Sequence, residues 1–280
     1  MKTDPTLTNE LLAVIQNTRE HLIGLREMGI DDIESSQPGP AFVSTQPPHS
    51  EGSALPAHGG QSMGREAVRK AASPVSSSLF GNLMPSEERL CRSEESMEQI
   101  WAELANCQRC PLHTERKNVV HTEGNRKARL MFVGEAPGAD EDEQARPFVG
   151  RAGQLLTKII EAIGFTREEV LIGNINRCRP PGNRPPTPDE VAMCKPFLLR
   201  EIAVVQPEVI VVLGNTAMKN LLDTKEGITK LRGRFHEYKG IKVMPTFHPA
   251  YLLRDPSKKR ETWSDLKKVR DYLDALSEKH

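Results

Sequence analysis

The chain has 280 residues, enough for one large domain or two small ones, and an apolar fraction of 37% leaves part of it outside any core. Lysine plus arginine equals aspartate plus glutamate at 38 each, which excludes a globally basic nucleic-acid binder, although residues 1–90 hold 7 basic and 11 acidic side chains and the remainder 31 and 27. No segment approaches the ~20 apolar residues of a membrane span, so no membrane partner is expected.

At the N-terminus, Met1–Pro5 opens no apolar signal segment, and Asp4 and Glu10 are foreign to a transit peptide. A cytoplasmic, reducing compartment is expected, in which five cysteines read as metal ligands or free thiols before disulfides. Residues 1–32 form the first unit. Leu7, Leu11, Val14, Ile15, Leu22 and Leu25 fall near helical spacing over 6–28, which predicts an amphipathic helix packed on the main domain. A docking helix for a protein partner is the alternative, but amphipathicity alone specifies none. Residues 33–85 are rich in Ser, Pro, Gly, Ala and Gln and read as a disordered linker.

Residues 86–280 read as the folded domain. Ser96 to Ala105 predicts a helix ending at a cysteine pair. Four apolar, β-branched runs follow at 129–133, 170–172, 209–213 and 242–245, separated by helical patterns over 152–163, 189–204 and 216–222 and followed by a last one over 262–276. Strands alternating with helices predict an α/β fold with a mostly parallel, four-stranded central sheet. Near-continuous apolar strands predict a sheet covered on both faces. Ligands of such sheets bind beyond the carboxyl ends of the strands.

The first run ends in Gly134-Glu135-Ala136-Pro137-Gly138, the second in Gly173-Asn174, the third in Gly214-Asn215-Thr216 and the fourth in Phe247-His248-Pro249. The first loop lacks the G-x-G-x-x-G spacing of a dinucleotide site and the G-K-[ST] of a triphosphate site. One polar residue at a strand end is usually structural. A glutamate loop, Asn174 and His248 converging beside Phe148 make a pocket for a flat polar ring. Cys107-x-x-Cys110, with Cys178 and Cys194 downstream and fifteen residues between them, can close a four-sulfur set. Zinc and [4Fe–4S] both suit that spacing. Cys91 has no evident role.

Together these motifs resemble the family 4, iron–sulfur-containing uracil-DNA glycosylases of bacteria and archaea. The likeness rests on Cys107-x-x-Cys110, Gly134-Glu-Ala-Pro-Gly138, Arg146-Pro-Phe-Val-Gly150-Arg-Ala-Gly153, Asn174-Ile-Asn-Arg-Cys178 and His248-Pro-Ala-Tyr-Leu-Leu-Arg254. It implies a three-layer α/β/α sandwich, a [4Fe–4S] cluster on Cys107, Cys110, Cys178 and Cys194, uracil-containing single- or double-stranded DNA as partner, and a monomer.

By the same resemblance, uracil is flipped into the pocket and its N-glycosidic bond hydrolysed. Phe148 stacks on the ring, and Asn174 donates to O4 and accepts from N3–H, the reverse of what cytosine offers. His248 donates to O2 as charge builds there. Glu135, Ala136 and Pro137 line the base. Ala136 stands where better-known uracil glycosylases carry an aspartate, so water is expected to be positioned by Glu135 or by the loop backbone. Glu141 matches a family glutamate near uracil C5, in an acidic run that otherwise reads as solvated. Arg179, Arg184, Lys230, Arg232, Arg254 and Lys258-Lys259-Arg260 are expected along the phosphates, with Leu252 and Leu253 as the wedge. The competing readings are a relative that traps uracil-DNA covalently, and a non-catalytic iron–sulfur DNA-binding or redox module. The first uses an extra basic insertion that Ile228–Phe235 does not show.

Overall fold

The computed structural model describes residues 90–278. The expected N-terminal helix and linker lie outside them. The first helix, α1 (Met97–Ala105), starts where expected. Ser96 accepts from the backbone of Gln99, and the Gln99 side chain accepts from the backbone of Ser96. This reciprocal pair satisfies two N–H groups that the helix itself leaves unbonded. Met97, Ile100 and Leu104 form its buried stripe.

The sheet has six strands, not four. The four expected runs are present as β2 (Leu130–Gly134), β3 (Leu171–Asn174), β4 (Val209–Leu213) and β6 (Ile241–Thr246). They pair in parallel in the order β3-β2-β4-β6. Two short antiparallel strands cap the edges: β1 (Glu123–Gly124) on β3 and β5 (His236–Tyr238) on β6. Neither has an apolar run. Their pairing is imposed by the strand each one covers, a form of edge protection that leaves little mark in sequence.

Alternate residues of each central strand enter opposite layers. Leu130, Phe132, Ile172, Val209, Val211 and Met244 pack with α3 (Arg151–Ala162) and α8 (Lys259–Ser277). Met131, Val133, Leu171, Ile210, Val212 and Val243 pack with α1, α4 (Pro188–Val205) and α5 (Asn215–Leu222). This is the expected α/β/α sandwich. Each such fully buried side chain contributes about 1.5–3 kcal/mol, so both faces are strongly held.

Three short helices escaped the sequence reading: α2 (Ala139–Gln144), α6 (Ile228–Leu231) and α7 (Pro249–Arg254). All three follow or precede site loops and are too short for a periodic signal. Among the described residues, no helix is long and apolar enough to cross a membrane.

Candidate active site

A cleft of about 670 Å³ opens at the carboxyl ends of β2, β3, β4 and β6. The strand order places β2 between β3 and β4, so successive crossovers leave in opposite directions there and a crevice forms. Glu135, Ala136, Pro137, Glu141, Phe148, Asn174 and His248, the predicted substrate-binding set, all line it.

Asn174 is the last residue of β3 and is 3% exposed. Its Oδ1 is buried with no hydrogen-bond partner. Gly134, its partner on β2, explains how the amide and the Phe148 ring can meet. A Cβ at Gly134 would lie 2.5 Å from both Asn174 Oδ1 and Phe148 Cζ, so only glycine leaves room. The Phe148 and His248 rings lie 5.8 Å apart between centroids and are tilted by 31°. The amide and the two rings thus border one cleft.

Phe148 has φ +53°, a left-handed backbone that bulky residues rarely adopt. Its loop is held from several sides. Glu141 Oε1 accepts from the N–H groups of Val149 and Gly150, each at 2.9 Å, and Oε2 accepts from Gly138 at 3.1 Å. Gly153 lets the loop sit on α3, since a Cβ there would fall 1.9 Å from the Phe148 carbonyl oxygen. Within the acidic run Asp140 and Glu143 are exposed, as a solvated stretch would be, whereas Glu141 and Asp142 are engaged by backbone donors. Glu141 ties the first loop to the Phe148 loop. Asp142 is 2% exposed and accepts from the backbone of Lys117 and Asn118.

His248 caps α7. Its Nδ1 accepts the Ala250 N–H at 3.1 Å, which leaves the proton on Nε2. Burial, with a smaller contribution from the Arg254 charge, pushes its pKa from 6.5 down to about 4. The ring is therefore a neutral donor at physiological pH. Gly214 (φ +88°) makes room beside it, because a Cβ would meet the histidine Cβ at 2.9 Å. The cleft wall beyond is formed by Asn215, Thr216 and Tyr251, which the sequence motifs contain without assigning them a role, and by Thr229, which lies in no motif.

Two of the expected DNA contacts are internal. Leu252 is fully buried against the α3–α8 layer, so it cannot act as a wedge, whereas Leu253 is 38% exposed. Arg232 spends its guanidinium on Glu261 and on both oxygens of Asp265, and lies over the Phe247 ring. Arg184 is on the rim, but Glu190 accepts two hydrogen bonds from it. Arg179 bonds Asn183. Arg254 is exposed at the cleft.

Cys107, Cys110, Cys178 and Cys194 line one small pocket, separate from the cleft. Arg116 donates to Cys178 Sγ at 3.1 Å and the Arg177 N–H to Cys194 Sγ at 3.3 Å. Burial pushes the Cys110 and Cys178 thiols up and Cys194 up to about 12. Two buried thiols with donors aimed at sulfur, Cys178 and Cys194, beside the half-buried Cys107 and Cys110, match a site for a thiolate-bound group. A single zinc would need four sulfurs at about 2.3 Å from one centre. Among the described residues, no group of three or more His, Cys, Asp or Glu side chains is arranged to hold a single metal ion. Cys91 is exposed and apart.

Residues 121–267 match the uracil DNA glycosylase superfamily. A type-4 uracil-DNA glycosylase of Thermotoga maritima is 48% identical over 184 residues, covering 64% of this chain and 96% of the relative. Those of Archaeoglobus fulgidus and Sulfurisphaera tokodaii are 44% and 43% identical, covering 62% and 63% of this chain and 92% and 84% of the relatives. With the cleft at the strand ends and the amide, phenyl and imidazole groups gathered in it, the chain belongs to the uracil DNA glycosylase superfamily, in its type-4 family.

Proposed function

We propose that this chain flips uracil out of DNA and hydrolyses its N-glycosidic bond, leaving an abasic site that starts base excision repair. One observation carries the reading: the buried Asn174 amide whose oxygen has no partner within the protein. A buried acceptor left unpaired costs about 1–3 kcal/mol. Uracil N3–H would satisfy it, while Asn174 Nδ2 donates to O4. Cytosine presents an acceptor at N3 and a donor at C4, so both contacts would be repulsive.

Phe148 stacks on the extruded ring. His248 Nε2–H donates to O2 as the bond from C1′ to N1 breaks and its electron pair passes to the base. A pre-aimed donor of this kind typically supplies about 3 kcal/mol to the transition state. Because Nδ1 is held by Ala250, the ring does not have to reorient during the reaction. Water adds to C1′ of the oxocarbenium sugar. Glu135, on the cleft wall, positions it and takes its proton, a role that Ala136 in the same loop cannot fill.

Cys107, Cys110, Cys178 and Cys194 would hold a [4Fe–4S] cluster. It would supply a staple between the start of the domain and the loop that follows Asn174. The exposed Leu253 and Arg254 would face the DNA, with Leu253 filling the gap left by the flipped base.

The test is abasic-site formation by purified protein on single- and double-stranded oligonucleotides carrying one uracil, with cytosine and thymine controls. Alkali-labile sites at uracil only are expected. Intact strands after alkali would sink the enzymatic reading, and an SDS-stable protein–DNA adduct would favour covalent trapping.

A further inference from the structure

We propose that Arg167 is a positioning residue for Phe148, holding the strained peptide that presents the phenyl ring to the flipped base. The inference rests on the uracil-excision reading for its chemistry, but not for its geometry. Arg167 lies between α3 and β3, outside every motif that marks the site, and its side chain is 14% exposed. Its Nη2 donates to the Pro147 carbonyl at 2.5 Å. That carbonyl belongs to the peptide joining Pro147 to Phe148. Relaxing Phe148 from φ +53° to the ordinary negative region requires this same peptide plane to rotate. The bond to Arg167 opposes that rotation directly.

The other nitrogens of Arg167 brace it. Nη1 lies 3.4 Å from Thr157 Oγ1 on α3, and Nε lies 3.4 Å from Glu123 Oε1 on β1. Glu123 also takes two 2.8 Å bonds from Arg146, at the start of the same loop. Its carboxyl is held below the usual carboxylate range by Arg146 first and then by Arg167. The edge strand β1 thus joins the two arginines that frame Pro147 and Phe148. Glu141 holds the peptides on the other side of Phe148, at Val149 and Gly150. Of the three nitrogens, Nη2 bonds the loop itself and Nε the glutamate that also holds Arg146, while Nη1 faces α3. Without Arg167, the competent loop becomes a minority conformation and apparent affinity falls by the same fraction.

The experiment uses the full-length, cluster-containing protein and the variants Arg167→Met and Arg167→Lys, each also combined with Phe148→Ala. Hydrogen–deuterium exchange of residues 146–150 reads the clamp independently of activity. Arg167→Met is expected to speed exchange there while the central strands stay protected. It should lower kcat/KM for uracil-DNA about 10- to 100-fold, as expected for a lost charged hydrogen bond, mainly through KM. Arg167→Lys, which keeps one donor, should recover part of the loss. In the Phe148→Ala background the arginine substitution should cost less than about 3-fold, because both act through one ring. An equal penalty with and without Phe148, or unchanged exchange in 146–150 in a folded Arg167→Lys or Arg167→Met protein, overturns the proposal. If the wild type forms no abasic sites, the uracil reading fails, and the exchange measurement still decides the clamp.

Discussion

His248 offers the sharpest quantitative test of the chemistry. It works as a neutral donor, with Nδ1 already accepting from Ala250 and a pKa pushed down to about 4 by burial and then by Arg254. Glycosylase activity should therefore be level from neutral pH to about 5 and fall as the pH drops through about 4, where the ring gains a second proton and the Ala250 contact is lost. The sign for stability follows from the same difference. The folded state binds the proton less readily than the unfolded chain, whose histidine titrates at 6.5. Stability is complete above 6.5, declines as pH falls, and reaches its floor below about 4. Full burial would set the loss at about 3 kcal/mol, and the edge open to the cleft trims it to about 2–3 kcal/mol. The assay pairs single-turnover rates from pH 3.5 to 8 with denaturant unfolding of wild type and His248→Gln at pH 7 and pH 4. The stability gap between the two proteins should change by that amount. Arg254→Gln should move the acid limb to higher pH by removing a repulsive charge. An inflection near 6.5, or a rate that rises on acidification from 7 to 5, would show that imidazolium is the working form and refute the reasoning.

Asn174→Asp should abolish uracil excision or relax the exclusion of cytosine, and unchanged rate and selectivity would contradict the reading role. Cys178→Ser should lose visible iron–sulfur absorbance and lower Tm; a colourless wild type carrying zinc would show the metal assignment to be wrong. Gly153→Ala should displace the Phe148 loop, since its new methyl would fall 1.9 Å from a backbone oxygen, and a crystal structure with the loop unmoved would refute this. Leu252→Ala should cost about 2–5 kcal/mol in stability as a core truncation. Leu253→Ala should leave Tm unchanged and weaken activity on duplex more than on single-stranded DNA, which paired melting and kinetic measurements can separate.

The central strands, the long helices and the strand-end residues were legible because they follow local rules. A short apolar run rich in β-branched residues, such as Val209–Leu213, reads as an interior strand, and the 3.6-residue stripe of α3 reads as a core-facing helix. Ring-binding groups at successive strand ends pointed to one crevice before any contact was known, because a parallel sheet brings those ends together. The edge strands β1 and β5 were not legible. Two or three polar residues join a sheet through backbone bonds to their neighbour, and composition does not record that.

By itself, then, the sequence determined the α/β alternation, the two constellations of cysteines and pocket residues, and through its ordered motifs the family. The tertiary structure alone decided which of two adjacent leucines faces solvent, since Leu252 and Leu253 differ only in the angle at which α7 meets the core. It also decided that Arg232 belongs to Asp265 and Glu261, that Glu141 and Asp142 are bonded rather than solvated, and that His248 keeps its proton on Nε2. The physical reason is common to all of these. Periodicity encodes burial along one element, whereas the partner of a charge or a ring nitrogen is supplied by a residue distant in the chain.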